Sequence, residues 1–211
     1  KGGIPTAGVQ TGDLYARWQR FGNRVALIQP NFSVRSTGDR ESKSGRDRVH
    51  TDRVIVDMPI VAQDQGSIVI DISKLFVNDS TKFFGNQTRG ANTNLVKMIK
   101  AKSFPENVEL AWEMPLRSGR FATLYYSIRL IPENNGYKPR VADERVGFFT
   151  TTYRDIGDAS DPNPWRRYIN RWNLQKADPS LKMSPPKKPI VFYLEHTTPV
   201  RYRRWVREGV L

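Results

Sequence analysis

Short apolar blocks and period-two alternation run through most of residues 14–131, and this pattern predicts strands rather than helices. Arg17–Phe21 and Val25–Ile28 flank Gly22-Asn23, a pair that accepts positive backbone angles, so Leu14–Arg35 reads as a hairpin. A second hairpin is expected where Val54-Ile55-Val56 and Ile60-Val61 lead into Asp64-Gln65-Gly66 and Ser67–Ile72 then alternates. Three further strands are predicted over Leu95–Ser103, Val108–Met114 and Phe121–Ile131, with turns at Phe104–Asn107 and Arg117–Gly119. In the last of these, Ala122, Leu124, Tyr126, Ile128 and Leu130 share one face. The expected class is mainly β, with antiparallel sheets in a sandwich-like or α+β arrangement and a few short helices in the C-terminal third.

The polar stretches punctuate this body. Residues 1–14 carry four glycines and predict an irregular entry. Residues 36–52 mix Ser, Gly, Asp, Arg and Lys and are expected to form a mobile loop, because nothing in them fills a core. Residues 74–90 read as a short helix and a loop. Tyr137–Phe149 reads as a hinge: Pro139 fixes one backbone angle, Gly147 allows a turn, and Arg140, Asp143 and Arg145 are close enough to pair. Thr150–Tyr153 continues as a strand. Trp165, Tyr168, Ile169 and Trp172 then fall at i, i+3, i+4 and i+7, which predicts a helix after Pro164; a strand through Tyr168, Asn170, Trp172 and Leu174 is the alternative. Residues 177–188 have linker composition, Pro189–Leu194 predicts a strand, and Thr198 is placed to cap a helix from Pro199 with Tyr202, Trp205, Val206 and Val210 on its apolar side. The division that follows is a β-rich accessory domain over 1–149, a connecting segment over 150–188, and the start of another domain over 189–211. No internal repeat is visible.

Composition alters this picture in two ways. A formal net charge of +13 over 211 residues favours polyanionic partners. The absence of cysteine removes disulfides, thiolate metal sites and cysteine nucleophiles together. Aromatic and basic residues interleave in Trp165–Tyr168 and Arg201–Trp205, a combination that suits nucleic acid, yet the helical spacing of the aromatics is better explained by burial, so nucleic acid is an unlikely partner. His50 and His196 are isolated, no His-Glu-x-x-His is present, and no glycine opens a phosphate loop. No catalytic, cofactor-binding or metal-ligating residue is assigned. No apolar run reaches the length of a membrane span.

Several ordered motifs carry a resemblance. Leu130-Ile131-Pro132, Tyr137–Arg140, Asp143–Phe149, Tyr168–Leu174 and Pro189–Tyr193 through Gly209-Val210 resemble the N-terminal region, of DUF5117 type, of large bacterial zinc-dependent metalloproteases of the metzincin type. The likeness is close over residues 122–211 and weaker before them. It implies that the catalytic His-Glu-x-x-His helix lies beyond Leu211, and that residues 189–211 are the first strand and part of the first helix of the protease domain. It also implies a chain that is inert alone, with zinc expected only in the parent catalytic domain. The sequence starts without methionine and stops inside a helical pattern, so both ends are expected to be cut, with a signal peptide upstream and a secreted, periplasmic or cell-envelope location.

The partner implied is the chain's own downstream protease domain, with a protein or peptide substrate as a further possibility. Arg140, Asp143, Arg145, Trp165, Tyr168 and Trp172 are the candidate contact residues. Pro139–Phe148 also resembles the propeptide switch of matrix metalloproteinases, with Val141 in place of the zinc-blocking cysteine, which leaves Asp143 as the candidate carboxylate switch. A different class of function, a basic β-domain binding nucleic acid or an acidic glycan, is the alternative.

Overall fold

The computed structural model describes residues 12–210. Most of the expected irregular entry, residues 1–11, lies outside them. Both predicted hairpins form. β1 (Arg17–Phe21) and β2 (Arg24–Gln29) pair antiparallel across Gly22-Asn23, with Gly22 at φ +57° in the position where a type II′ turn places glycine. β3 (Val34–Arg35) follows, then α1 (Arg40–Val49), then β4 (Arg53–Asp64) and β5 (Ser67–Ile70). The β4–β5 turn uses Gln65 at φ +45° and Gly66 at φ +84°. The first sheet has the order β1-β2-β4-β5. Val25, Ala26, Leu27 and Ile28 are all buried, as their unbroken apolar run requires of a strand covered on both faces.

The chain next makes compact turns: a π-helical turn at Lys74–Asn78, α2 (Thr81–Phe84), and single 3-10 turns at Gly85–Thr88 and Thr93–Leu95. A meander follows, β6 (Lys97–Ser103), β7 (Asn107–Pro115) and β8 (Phe121–Arg129), forming a second antiparallel sheet. Leu75, Phe76 and Val77 lie in one core with Leu27, Ile55, Val56 and Met58 of the first sheet and Leu110, Trp112, Met114, Leu124 and Tyr126 of the second. Phe76 stacks on Trp112 and meets Tyr126 edge-on at 4.7 Å between centroids, while Tyr126 donates its hydroxyl hydrogen to the Phe76 carbonyl at 2.8 Å. Burial pushes the Tyr126 phenol above its usual pKa. The mainly β, sandwich-like expectation therefore describes the molecule. The face expected for Ala122–Leu130 is buried at Leu124 and Tyr126 and opens to solvent at Ile128 and Leu130.

The third sheet joins distant parts of the chain. β9 (Thr150–Asp155) pairs antiparallel with β10 (Trp165–Ile169) and parallel with β3, giving the order β10-β9-β3. Two expectations change here. Residues 165–169 form a strand, not the favoured helix: the aromatic spacing fitted both periods, and ladder hydrogen bonds to β9 decide between them. The segment expected to be a loop at 36–52 contains α1, whose N-cap Asp39 accepts from the Ser42 N–H at 2.8 Å, with Glu41 in the first turn and Arg46 and Arg48 in the last. No residue of α1 is buried, so it adds nothing to the core.

Gly38 and Gly157 bring the third sheet's flanking loops together. A Cβ on Gly38 would fall 2.4 Å from the Gly157 carbonyl oxygen, and one on Gly157 would fall 2.3 Å from the Gly38 amide nitrogen. Both obstacles are backbone. Either Gly→Ala change is expected to push β3 from β9 and lower stability by about 1–3 kcal/mol, measurable as a lower thermal midpoint. Alanine at the open Gly45 position, inside α1 where glycine weakens a helix, should hold that midpoint or raise it slightly.

Beyond β10 the described chain has little regular structure until α3 (Val200–Glu208). The strand expected at Pro189–Leu194 does not form, since no partner strand lies beside it among the described residues. Pro199, not Thr198, stands at the N-cap of α3, and no side chain caps it.

Candidate functional site

The hinge expected at 137–149 is largely tied to β10. Ala142 donates its N–H to the Arg167 carbonyl and Ile169 donates to the Arg140 carbonyl, both at 2.9 Å, around a Val141–Tyr168 bridge. The pairing continues through side chains: Arg171 reaches the Lys138 carbonyl at 2.7 Å and lies over the Tyr137 ring, and Asn173 reaches the Asn135 carbonyl. Residues 140–142 thus add a short irregular strand beside β10, with the chain before them held by side chains from beyond β10. The register places Arg140 next to Ile169 and Ala142 next to Arg167.

This extended sheet has two unlike faces, because successive side chains of a strand point to opposite sides. One face is closed. Tyr153 and Tyr168 stack with centroids 6.0 Å apart, and Arg35 covers Tyr153 at 4.5 Å. The neighbouring Tyr168 hydroxyl, together with burial, raises the Tyr153 pKa. Asp155, only 5% exposed, accepts from the Thr37 hydroxyl at 2.7 Å and from the Thr37 and Gly157 amides at 3.1 and 3.0 Å. The Thr37 hydroxyl leads the group of contacts that hold its carboxyl below the usual pKa range. Arg166 pairs with Asp161 at 2.6 Å beside it.

The other face is open. Thr150, Thr152 and Arg154 of β9 stand with Trp165 and Arg167 of β10, all exposed, and the Thr150 and Thr152 hydroxyls are 3.3 Å apart. Ile169, also on this side, is buried. Trp165 is paired directly with Arg154 and Arg167 with Thr152. Arg140 on the added strand, Arg167 on β10 and Arg154 on β9 therefore lie on one diagonal, with neighbours about 7–8 Å apart at their backbones. Among the described residues none of these three guanidiniums has a carboxylate within salt-bridge distance.

The sequence-selected residues separate accordingly. Arg140 and Trp165 lie on the open face without touching, since Arg140 is level with Ile169, and Tyr168 lies on the closed one. Asp143 and Arg145 form an exposed pair of their own: Arg145 gives both Asp143 oxygens a hydrogen bond, at 2.9 and 2.7 Å, and this pairing lowers the Asp143 pKa. Arg140 takes no part in it. Trp172 is exposed in the stretch beyond β10. Arg167 belongs to the Trp165–Tyr168 interleave of aromatic and basic residues, while nothing in the sequence pointed to Arg154; period-two reading of Thr150–Asp155 and Trp165–Ile169 puts each on the same side as its threonines or tryptophan, but only the register aligns them. His50 lies at the C-cap of α1, His196 beside Glu195, and among the described residues no three His, Asp or Glu side chains converge as metal ligands.

A second exposed feature is apolar. Phe192 is 68% and Tyr193 91% exposed, and Tyr202, Trp205, Val206 and Val210 of the α3 region are exposed together on one helical side. No helix of the described residues is long and apolar enough to cross a membrane.

A mainly β domain with one open basic sheet face is the class these observations define. Residues 8–177 match the family described as Domain of unknown function (DUF5117), and the chain belongs to that family. No curated protein and no solved structure matches it.

Proposed function

We propose that this chain is a non-catalytic accessory or prosegment-like region of a secreted, periplasmic or cell-envelope zinc-dependent metalloprotease, where it scaffolds or restrains the catalytic domain. The observation that carries this reading is the exposed apolar stretch at 189–210. A strand-patterned Ile190–Leu194 without a partner and an amphipathic helix with Trp205 in solvent are elements of a layer whose other half lies elsewhere. The link to a protease comes from the motif resemblance over residues 122–211, and zinc belongs to the catalytic domain rather than to this chain.

The test uses the full-length natural protein. It is expected to hold about one zinc per chain, as a catalytic zinc site requires, and to cleave casein in a chelator-sensitive way. A full-length protein without bound zinc or peptidase activity would overturn the assignment. Within the same protein, Asp143→Ala is expected to leave activity unchanged, because Arg145 already holds both carboxylate oxygens; release of latent activity would instead assign Asp143 to the zinc.

A further inference from the structure

We propose that the open face of the extended third sheet binds an acidic polysaccharide, with Arg140, Arg154 and Arg167 as its anion-recognition row and Trp165 as a platform for a sugar ring. The charge of the face selects the partner's sign. Three exposed guanidiniums on one diagonal, without carboxylate partners among the described residues, form a concentrated positive row in which each planar fork can hold a carboxylate or sulfate through two parallel hydrogen bonds. The row crosses three adjacent strands, so it suits a linear ligand with repeating anions lying obliquely over the sheet. Long arginine stems let each head group adjust to the spacing of those anions.

The rest of the face distinguishes among polyanions. Single-stranded nucleic acid is held by aromatic side chains that stack successive bases. This face offers one such ring, Trp165, because Tyr153 and Tyr168 are stacked on each other on the opposite side. An extended acidic peptide is bound best where backbone groups are free to pair with it, and here the backbone groups of β10 are used by β9 on one side and by residues 140–142 on the other. Thr150 and Thr152 add hydroxyls that match the donor and acceptor pattern of sugars, with Thr152 directly across from Arg167 and diagonal to Trp165. One aromatic ring, neighbouring hydroxyls and a row of guanidiniums fit a glycan with carboxylate or sulfate groups. This site stands independently of the protease assignment.

The experiment measures binding of a labelled heparin dodecasaccharide to the whole chain at about 0.15 M salt, where long-range attraction between exposed charges is largely screened. The wild type is expected to bind, with affinity falling steeply as salt rises. The triple variant Arg140→Gln, Arg154→Gln, Arg167→Gln is expected to bind about tenfold or more weakly. A control with Lys97→Gln, Lys102→Gln and Lys187→Gln removes the same three charges from the net +13 and should change affinity by less than about twofold. Trp165→Ala should weaken binding by about fivefold while Trp165→Phe largely retains it. All six substituted cations are exposed, so thermal midpoints should hold; if the arginine triple melts early, the single Gln variants carry the same comparison. Equal losses in the two triples would reduce the effect to net charge and overturn the site. So would absence of binding, or tighter binding of a single-stranded oligonucleotide or an oligoglutamate that the arginine triple abolishes.

Discussion

Phe76→Ala is expected to remove about 3–5 kcal/mol of folding stability, a large share of the roughly 5–15 kcal/mol that keeps an ordinary domain folded. Phe76 is 4% exposed and comes from the π-helical turn between the two core sheets, so no single sheet can close over the space it leaves. Its ring contacts Phe83, Trp112 and Tyr126, and aromatic pairs add to the area term. The Tyr126 hydroxyl also depends on this turn, because its acceptor is the Phe76 carbonyl. A shift of the turn towards the cavity would leave that buried hydroxyl without its bond and add to the loss. Chemical denaturation read by tryptophan fluorescence measures the change. Phe76→Leu, which keeps most of the volume, should cost well under half as much, and equal losses for the two variants would show that the ring contacts contribute little.

The second large effect is expected at Asp155. Asp155→Ala removes the shared acceptor of the Thr37 amide, the Thr37 hydroxyl and the Gly157 amide, and should cost about 3 kcal/mol, since hydrogen bonds to a charged group are stronger than neutral ones. Asp155→Asn keeps one oxygen acceptor and should cost less. The pH dependence has a definite sign. The folded contacts lower the Asp155 pKa below the unfolded value of about 3.9, so as pH falls the unfolded state takes up the proton first. Its stabilisation is fully present above about pH 4–5 and is lost as pH falls through the depressed folded value. Denaturation midpoints of the wild type and Asp155→Asn, taken at about pH 7 and about pH 3, should therefore lie closer together at the lower pH. A constant gap would mean that the carboxylate charge contributes nothing. The comparison between variants matters because other aspartates, including Asp52, Asp57 and Asp161, are also held below their usual range and contribute their own acid sensitivity.

Asp155 also shows why the junction behaves differently from a flexible hinge. Two of its three bonds come from Thr37, 118 positions earlier, while residues 140–142 pair with β10. Strands at 150–155 and 165–169 therefore belong with residue 34 and its neighbours in one sheet, and the family match to residue 177 includes all of them. The open arginine row exists only because this sheet forms: Arg140, Arg154 and Arg167 are separated by 14 and 13 positions in sequence, and the ladder brings them onto one line.

Local pattern by itself determined the two hairpins, the three-stranded meander and the mainly β class, because alternation and turn residues act over a few positions and tight turns join neighbouring strands. It also contained the signals for α1, Asp39 followed by Glu41 and closing with Arg46 and Arg48, which the polar composition concealed. At Trp165–Ile169 two periods fitted the same aromatics, and only pairing with Thr150–Arg154 chose the strand. At Pro189–Leu194 the pattern was that of a strand, yet a strand needs a neighbour and none is present among the described residues. The Asp143–Arg145 pair is local and was within reach of the sequence, which left open only whether Arg140 shared it. Tertiary structure alone decided that Asp155 anchors Thr37 and that three distant arginines share a face. Those outcomes depend on register and on contacts far apart in sequence, whose closure is settled by the whole fold rather than by the residues on either side.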